Sequence, residues 1–185
     1  MTAGPETPLR SGARRNRDQI IAAAKAMFLE LGPDVPMEGI ARQAGVGVGT
    51  LYRRFPDRVA LIRAVARHNF GTVLEQVRAA ADEEPTAWEA IVRLLSRSRE
   101  LRLTVQLALV SPLSWAVIRD DETTHEIQDE IMAVLDDLVR SAQAEGKMRG
   151  DVGAGDLAVM CSLLLRRVDL ASGKDPDLIL DRRWS

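Results

Sequence analysis

Gly39-Ile40-Ala41-Arg42-Gln43-Ala44-Gly45-Val46-Gly47-Val48-Gly49-Thr50-Leu51-Tyr52-Arg53-Arg54-Phe55 is the stretch that decides how the chain is read. Ile40, Ala41 and Ala44 are spaced for one apolar helical face. Gly45 falls where a helix needs a residue tolerant of positive φ just past its end. After a short turn, Leu51 and Phe55 make an i, i+4 pair facing back toward the first helix. Thr50, Tyr52, Arg53 and Arg54 put hydrogen-bond donors on the other side. Two short helices around a glycine turn are the outline of a helix-turn-helix, and the second suits a DNA major groove. Periodicity alone fits equally well with two packed helices of any all-α protein. A nucleotide-binding loop does not fit. Gly45, Gly47 and Gly49 are followed by Thr50, which breaks the G-x-G-x-x-G spacing, and no strand pattern precedes them.

The charge supports a division of labour. Residues 1–70 hold eleven Lys and Arg against six Asp and Glu, whereas residues 71–185 hold fourteen against twenty-one. A basic first third on an acidic remainder suits a nucleic-acid-binding head on a body with another task; chance bias is the plainer account. The length of 185 residues allows one domain or one and a half, and 46% hydrophobic with 28% charged residues is ordinary for a soluble protein. The single cysteine, Cys161, lies in the apolar run 157–165, which argues against a disulfide framework and fits a reducing cytosol. No apolar run approaches the roughly 20 residues of a membrane span, and the N-terminus lacks the apolar stretch of a signal peptide. The expected location is cytoplasmic. His68 and His125 are the only histidines, neither beside a second ligand at metal spacing, and no catalytic motif is present. No metal, cofactor or enzymatic activity is expected.

Taken in order, residues 1–17 are rich in Pro, Gly, Thr and Arg without periodicity and read as a flexible basic arm. Its Arg10, Arg14, Arg15 and Arg17 either reach phosphates or a minor groove, or merely solubilise. A helix starts at Asp18, carries Ile20, Ala24, Met27, Phe28 and Leu31, and stops at Gly32-Pro33. The helix-turn-helix occupies 37–55. Pro56 is expected in the first turn of a helix over 57–82, long enough at about 1.5 Å per residue to run from head to body. Thr86-Ala87-Trp88-Glu89 has the form of a capping box, with Trp88, Ile91, Val92 and Leu95 as the buried face behind it. A short buried helix over 103–110 and another over 113–119, containing Trp115, follow. Thr123-Thr124-His125-Glu126 is a second capping-box pattern, opening a helix to about 145 with a wide stripe of Ile127, Ile131, Met132, Val134, Leu135, Leu138 and Val139. Gly146 stops it. The last convincing helix is 156–171, and the abrupt end after Trp184 is read as a C-terminus cut short. With no strand pattern, the fold is expected to be all-α. It has a flexible arm (1–17), an N-terminal three-helix helix-turn-helix DNA-binding domain (18–60) and a C-terminal helical ligand-binding and dimerisation domain (61–185).

This order of features resembles the TetR family of bacterial transcriptional regulators. The resemblance rests on Phe28-Leu29-Glu30-Leu31-Gly32, on Ile40 through Val46, and on Thr50-Leu51-Tyr52-Arg53-Arg54-Phe55-Pro56-Asp57-Arg58. A weaker likeness lies in Ala142-Gln143-Ala144-Glu145-Gly146-Lys147-Met148-Arg149. It implies a homodimer whose two heads read adjacent major grooves of a near-palindromic DNA operator. It also implies a body that binds a small-molecule effector, so that a repressor is released by its ligand. A family member regulated by a protein partner instead is the alternative. The resemblance places Val48, Gly49, Thr50 and Arg53 on the exposed part of the recognition helix and gives Tyr52 a phosphate contact through its hydroxyl. Arg58 stands where a phosphate-directed lysine is usual, and Arg42 and Arg17 are flanking phosphate candidates. Three departures are Gly47 in place of a Ser or Thr cap, Arg54 in place of a common His, and Met37 in place of a phosphate-touching Thr.

The ligand pocket is expected among residues 57–145. Phe70, Trp88, Leu95, Leu103, Leu107 and Trp115 are its candidate walls, though each also reads as plain core. Asn69, Arg99, Gln106, His125 and Asp129 are polar candidates for orienting a ligand, each equally a solvated residue. The dimer is expected through the helices at about 123–145 and 156–171, with an intramolecular core taking part of each stripe.

Overall fold

Helix α1 (Pro8–Leu31) begins at Pro8 rather than at the expected Asp18. In the computed structural model, which describes residues 8–97, 103, 112–157 and 159, the expected flexible arm is therefore helical from residue 8 onward. The arginines over this stretch are good helix formers. Arg14, Arg15 and Arg17 are exposed, and a helix face without apolar residues leaves no periodicity in the sequence.

Helices α2 (Met37–Gln43) and α3 (Val48–Arg54) follow, joined by the predicted glycine turn. Gly45 has φ +67°, with its N–H donated to the Arg42 carbonyl (3.1 Å) and the Val46 N–H donated to the Ala41 carbonyl (3.0 Å). That pair of bonds is a Schellman ending, which satisfies carbonyls the helix leaves open and needs a left-handed residue at its centre. Helix α4 (Arg58–Glu83) is capped by Asp57, whose carboxylate accepts from the Ala60 N–H at 2.7 Å. Pro56 thus stands just ahead of the cap, outside the helix and not in its first turn.

Helix α5 (Ala87–Arg97) opens on the expected cap. Thr86 Oγ1 accepts from the Glu89 N–H at 3.2 Å, and Glu89 Oε2 accepts from the Thr86 hydroxyl at 3.0 Å. Val92, expected on its buried face, is 43% exposed. Helix α6 (Pro112–Arg119) leads into α7 (Glu122–Ala144). The cap of α7 is Asp121 and not the predicted Thr123, because the Asp121 carboxylate accepts from both the Thr124 N–H and the Thr124 hydroxyl. Residues 154–157 form a further helical turn, and no strand occurs among the described residues. The predicted helix at 103–110, apart from the helical and buried Leu103, and most of the helix at 156–171 lie outside the described residues.

The buried side chains form two cores. The first joins Ile20, Phe28, Ile40, Leu51 and Phe55 of the head to Leu61, Ile62, Val65, Phe70 and Val77 of α4, and continues to Ile118 and Ile131. The second gathers Ala80, Ile91, Leu138, Val139, Ala142 and Leu157 at the far end. The expected division at residue 60 therefore falls inside a continuous core, with α4 shared by head and body. Among the described residues no helix is long and apolar enough to cross a membrane.

Candidate nucleic-acid interface

Helix α3 is held from behind and open in front. Leu51 is fully buried and Phe55 is 4% exposed, so both plug into the core made by α1, α2 and α4. Removing a buried leucine of this kind costs about 2–5 kcal/mol, so the anchoring of α3 is firm. Val48, Gly49, Tyr52, Arg53 and Arg54 face solvent, and Thr50 is half-buried. Val48, Gly49, Thr50 and Arg53 are the expected readout residues and Tyr52 the expected phosphate contact; all but the half-buried Thr50 are exposed, and Arg54 is exposed beside them. Arg53 Nη2 donates to Thr50 Oγ1 at 3.1 Å, which holds the guanidinium along the helix face.

The helix starts without a side-chain cap. Gly47 is extended, with φ −67° and ψ 144°, and only its carbonyl closes the first turn, accepting from the Thr50 N–H at 2.8 Å. An uncapped helix N-terminus keeps free N–H groups and a partial positive charge, both suited to a phosphate oxygen. A Cβ built on Gly49 would meet nothing within 4 Å, and its φ is not in the left-handed region. Nothing inside the protein therefore requires glycine at position 49, and its absent side chain leaves the outward face of α3 open there.

Tyr52 shows a feature the sequence did not announce. Its hydroxyl donates to Glu38 Oε1 at 3.3 Å, across the turn from the start of α2. The phenol is pushed above its ordinary pKa by desolvation and by the Glu38 carboxylate, with Arg58 acting in the opposite sense. Glu38 thus takes the one proton that this hydroxyl has to offer, so a phosphate contact requires the phenol to leave Glu38, whose carboxylate also places a negative charge beside α3. Its position in the first turn of α2 explains its presence as a helix-dipole partner but carries no sign of the bond to a residue fourteen positions on.

Arg58 departs from its expected role. Its Nη1 donates to the carbonyls of Pro33 and Val35, each at 2.7 Å, so this guanidinium ties the α1–α2 loop to the start of α4 instead of projecting that nitrogen toward phosphate. Arg42 is exposed on α2, and Arg17 is exposed on α1 beside Asp18 at 3.9 Å.

Away from α3, open clefts occur among the described residues. A cleft of about 780 Å³ lies along α4 and α5, with Gln76, Trp88, Val92, Leu94, Arg93 and Ser96 among its walls. Of the predicted pocket residues that are described, it includes Trp88. Arg93 is already committed there, donating to Glu83 at 2.9 Å and Glu84 at 2.8 Å. A smaller cleft of about 250 Å³ between α1 and α4 is lined by Lys25, Leu29, His68, Asn69 and Leu103. Desolvation, then the nearby Lys25, lowers the His68 pKa below its ordinary value. Phe70 is buried in the first core, Leu95 packs against the second, and Trp115 is 48% exposed on α6, so these three do not converge on one pocket. His125 and Asp129 are solvent-exposed, while Arg99, Gln106 and Leu107 lie outside the described residues.

A buried-anchored helix with an outward donor face, set on a helical body, defines a helix-turn-helix DNA-binding protein. Residues 20–65 match the family of bacterial regulatory proteins, tetR family, and residues 86–176 match the C-terminal domain of SbtR-like transcriptional regulators. An HTH-type transcriptional regulator of Mycobacterium tuberculosis is 30% identical over 165 residues, which is 88% of this chain and 84% of that one. The HTH-type transcriptional repressor LfrR of Mycolicibacterium smegmatis matches a shorter stretch, 40% identical over 60 residues and 32% of either chain. Among solved structures, the TetR transcriptional regulator SCO0520 of Streptomyces coelicolor shares 32% identity at a TM-score of 0.63, over 87% of this chain and 88% of that one. FadR of Bacillus subtilis, solved with stearoyl-CoA, shares the fold at 19% identity and a TM-score of 0.64, over 88% and 92% of the two chains. The chain belongs to the TetR family and is a transcriptional regulator of that type.

Proposed function

We propose that the protein is a cytoplasmic repressor that binds a near-palindromic operator as a homodimer and leaves it when a small molecule enters the body. The observation that carries the DNA half is the outward face of α3, where Arg53 is braced by Thr50 and nothing within the protein crowds Gly49. Arg53 reads a base edge, with a bidentate contact to guanine as the fitting geometry, while Tyr52, Arg42, Arg17 and the open N-terminus of α3 hold phosphates. Ligand release rests on the α4–α5 cleft, whose volume lies in the range of small-molecule sites. Trp88, Val92 and Leu94 offer it an apolar wall, Gln76 and Ser96 line it as neutral polar groups, the Ser96 hydroxyl already donating to the Val92 carbonyl, and Arg93 is neutralised by its two glutamates. That lining favours an amphipathic, uncharged or weakly charged molecule over a bare anion. The solved relative holding stearoyl-CoA supports a small-molecule role for a body of this fold.

Dimerisation draws on less of α7 than the sequence stripe suggests. Ile131, Leu138 and Val139 are buried within the monomer, while Glu126, Asp129, Glu130, Asp136 and Asp137 make its outer face acidic. The half-buried Ile127, Met132, Val134 and Leu135, together with the segment 156–171, are the remaining apolar contribution.

A sequencing-based selection with purified protein tests the DNA half, with two half-sites related by a dyad as the expected motif. A single, non-repeated half-site would refute the dimeric reading. A thermal-shift screen of amphipathic compounds tests the ligand half: hits should lower operator affinity and lose their effect in Trp88→Ala. Hits that act equally on Trp88→Ala would move the site elsewhere, and release only by a protein would favour the partner-regulated alternative.

A further inference from the structure

We propose that Asp121 is the point at which the body holds the head, a positioning residue that sets where α3 hangs by gripping α4 through Arg67 and Arg63. Asp121 is 4% exposed, at the corner where α6 turns into α7. Arg67 meets it with both arms, Nε to Oδ2 at 2.8 Å and Nη2 to Oδ1 at 2.5 Å. Arg63, one helical turn earlier on the same face of α4, brings its Nε to 3.4 Å from Oδ1. Oδ2 also takes the hydroxyl and the N–H of Thr124, so one carboxylate ties three things together: the start of α7, its own corner and the first half of α4. A fork-to-fork arginine–carboxylate pair fixes direction as well as distance, which a lone lysine contact would not. Arg67 holds the Asp121 carboxyl down to about 2, so the grip is fully charged at neutral pH.

The placement along α4 is what gives the clamp its leverage. Leu61, Ile62 and Val65 belong to the same short stretch of helix, and they are fully buried in the core with Phe28, Ile40 and Leu51 of the head. Between residues 61 and 67, then, one side of α4 is embedded in the head while the other is gripped by the body. Helix α3 ends at Arg54, four residues before α4 begins, so a tilt of α4 at this point is passed directly to the reading surface. Displacement of the α6–α7 corner by any event in the body reaches α3 through these two arginines. A dimer must present its heads about 34–36 Å apart to read successive turns of a duplex, so the clamp acts on spacing and not on the contacts of a single head.

This proposal rests on the dimeric operator reading, and the test separates the two. Asp121→Asn keeps an N-cap acceptor for Thr124 but removes the ion pairs. Arg67→Gln removes the two-armed pair from the other side and leaves the buried Asp121 carboxylate with Arg63 and Thr124 as its partners. Full-length protein is titrated by fluorescence anisotropy against the selected operator, against versions with half-sites 2 base pairs closer or farther, and against a single half-site. Wild type should prefer its own spacing by tenfold or more. Both variants should bind the best operator about tenfold more weakly, discriminate spacings less than threefold, and bind the half-site within twofold of wild type. Variants that match wild type in spacing preference overturn the proposal alone. Equal loss on half-site and full operator overturns it too, since Asp121 would then merely support the fold of the head. A wild type indifferent to spacing overturns the dimeric reading and this proposal with it. If Asp121→Asn fails to fold by circular dichroism, Arg67→Gln and Arg63→Gln carry the same outcomes.

Discussion

Gly49→Ala should raise the stability of the protein and weaken its hold on DNA. The added methyl meets nothing within 4 Å, and the backbone at position 49 is not left-handed, so the native conformation accepts alanine without strain. Glycine-to-alanine changes at compatible sites stabilise by about 0.4–1 kcal/mol, mainly by narrowing the unfolded ensemble. In a chain of this size about 2–4 °C of melting temperature follows each kcal/mol, so a rise of roughly 1–4 °C is expected. Against DNA the same methyl stands on the outward face of α3. If the helix backbone lies close to base edges, the fit is overpacked and costs about 1–3 kcal/mol. At about 1.4 kcal/mol per tenfold, affinity falls roughly 5- to 150-fold. Differential scanning fluorimetry and anisotropy on the selected operator measure the two signs separately. An affinity equal to or above wild type would show that α3 does not approach its partner closely at this residue. A lower melting temperature would show that the backbone reading is wrong.

Arg53→Ala should weaken binding and flatten the selected motif at one base pair, by about 1–3 kcal/mol of discrimination; an unchanged motif in the sequencing-based selection refutes its readout role. Glu38→Gln removes a negative charge beside Tyr52 while keeping an acceptor for its hydroxyl, so operator affinity should rise severalfold at low salt and converge on wild type as salt increases. Weaker binding at every salt concentration would show that the charge, and not merely the hydrogen bond, is needed to place Tyr52. Gly45→Ala places a β-carbon at φ +67° and should cost about 1–2 kcal/mol of stability by urea unfolding; a neutral result would mean that the turn adopts another backbone. The Asp121 carboxyl, lowered from 3.8 to about 2, contributes stability that is complete above the unfolded value and is lost as pH falls through the folded one. The stability gap between wild type and Asp121→Asn, about 1–2 kcal/mol at pH 6, should therefore close between pH 4 and 2, and a gap constant over that range would deny the ion pair its role.

The parts of the molecule governed by neighbours in sequence were legible before any coordinates. Gly45 announces its turn because only a glycine-like residue tolerates the left-handed position, and Leu51 with Phe55 announces the buried side of α3 by spacing. The extent of α4 and the cap at Thr86 were read in the same way. Where partners are distant, reading failed. Asp121 and Arg67 are separated by 54 positions, so no local pattern announces their ion pair, whereas the cap of α7 is a local bond from the Thr124 N–H to Asp121 that the Thr123-x-x-Glu126 pattern obscures. Arg58 resembles a phosphate ligand in sequence, but its nearest acceptors are carbonyls 23 and 25 residues earlier. Periodicity identifies an apolar face without saying whether anything covers it, which is why Trp115 and Val92 were assigned to the interior. The early part of α1 escaped for the opposite reason: Arg14, Arg15 and Arg17 face solvent, so that stretch shows no apolar rhythm.

The core that runs unbroken from Phe28 through Leu51 into α4 has a consequence for anyone building hybrid sensors from this chain. A graft joined at residue 60 would cut the DNA-reading half away from Leu61, Ile62 and Val65, which form part of its own interior. The recipient body would have to supply their shapes anew. The changeover between the cores lies further along the same helix, between Val77, the last α4 residue of the first core, and Ala80, the first of the second. A join there keeps the head with its own stretch of α4, and the recipient body then has to replace only Ile118, Ile131 and their neighbours from the far side of that core.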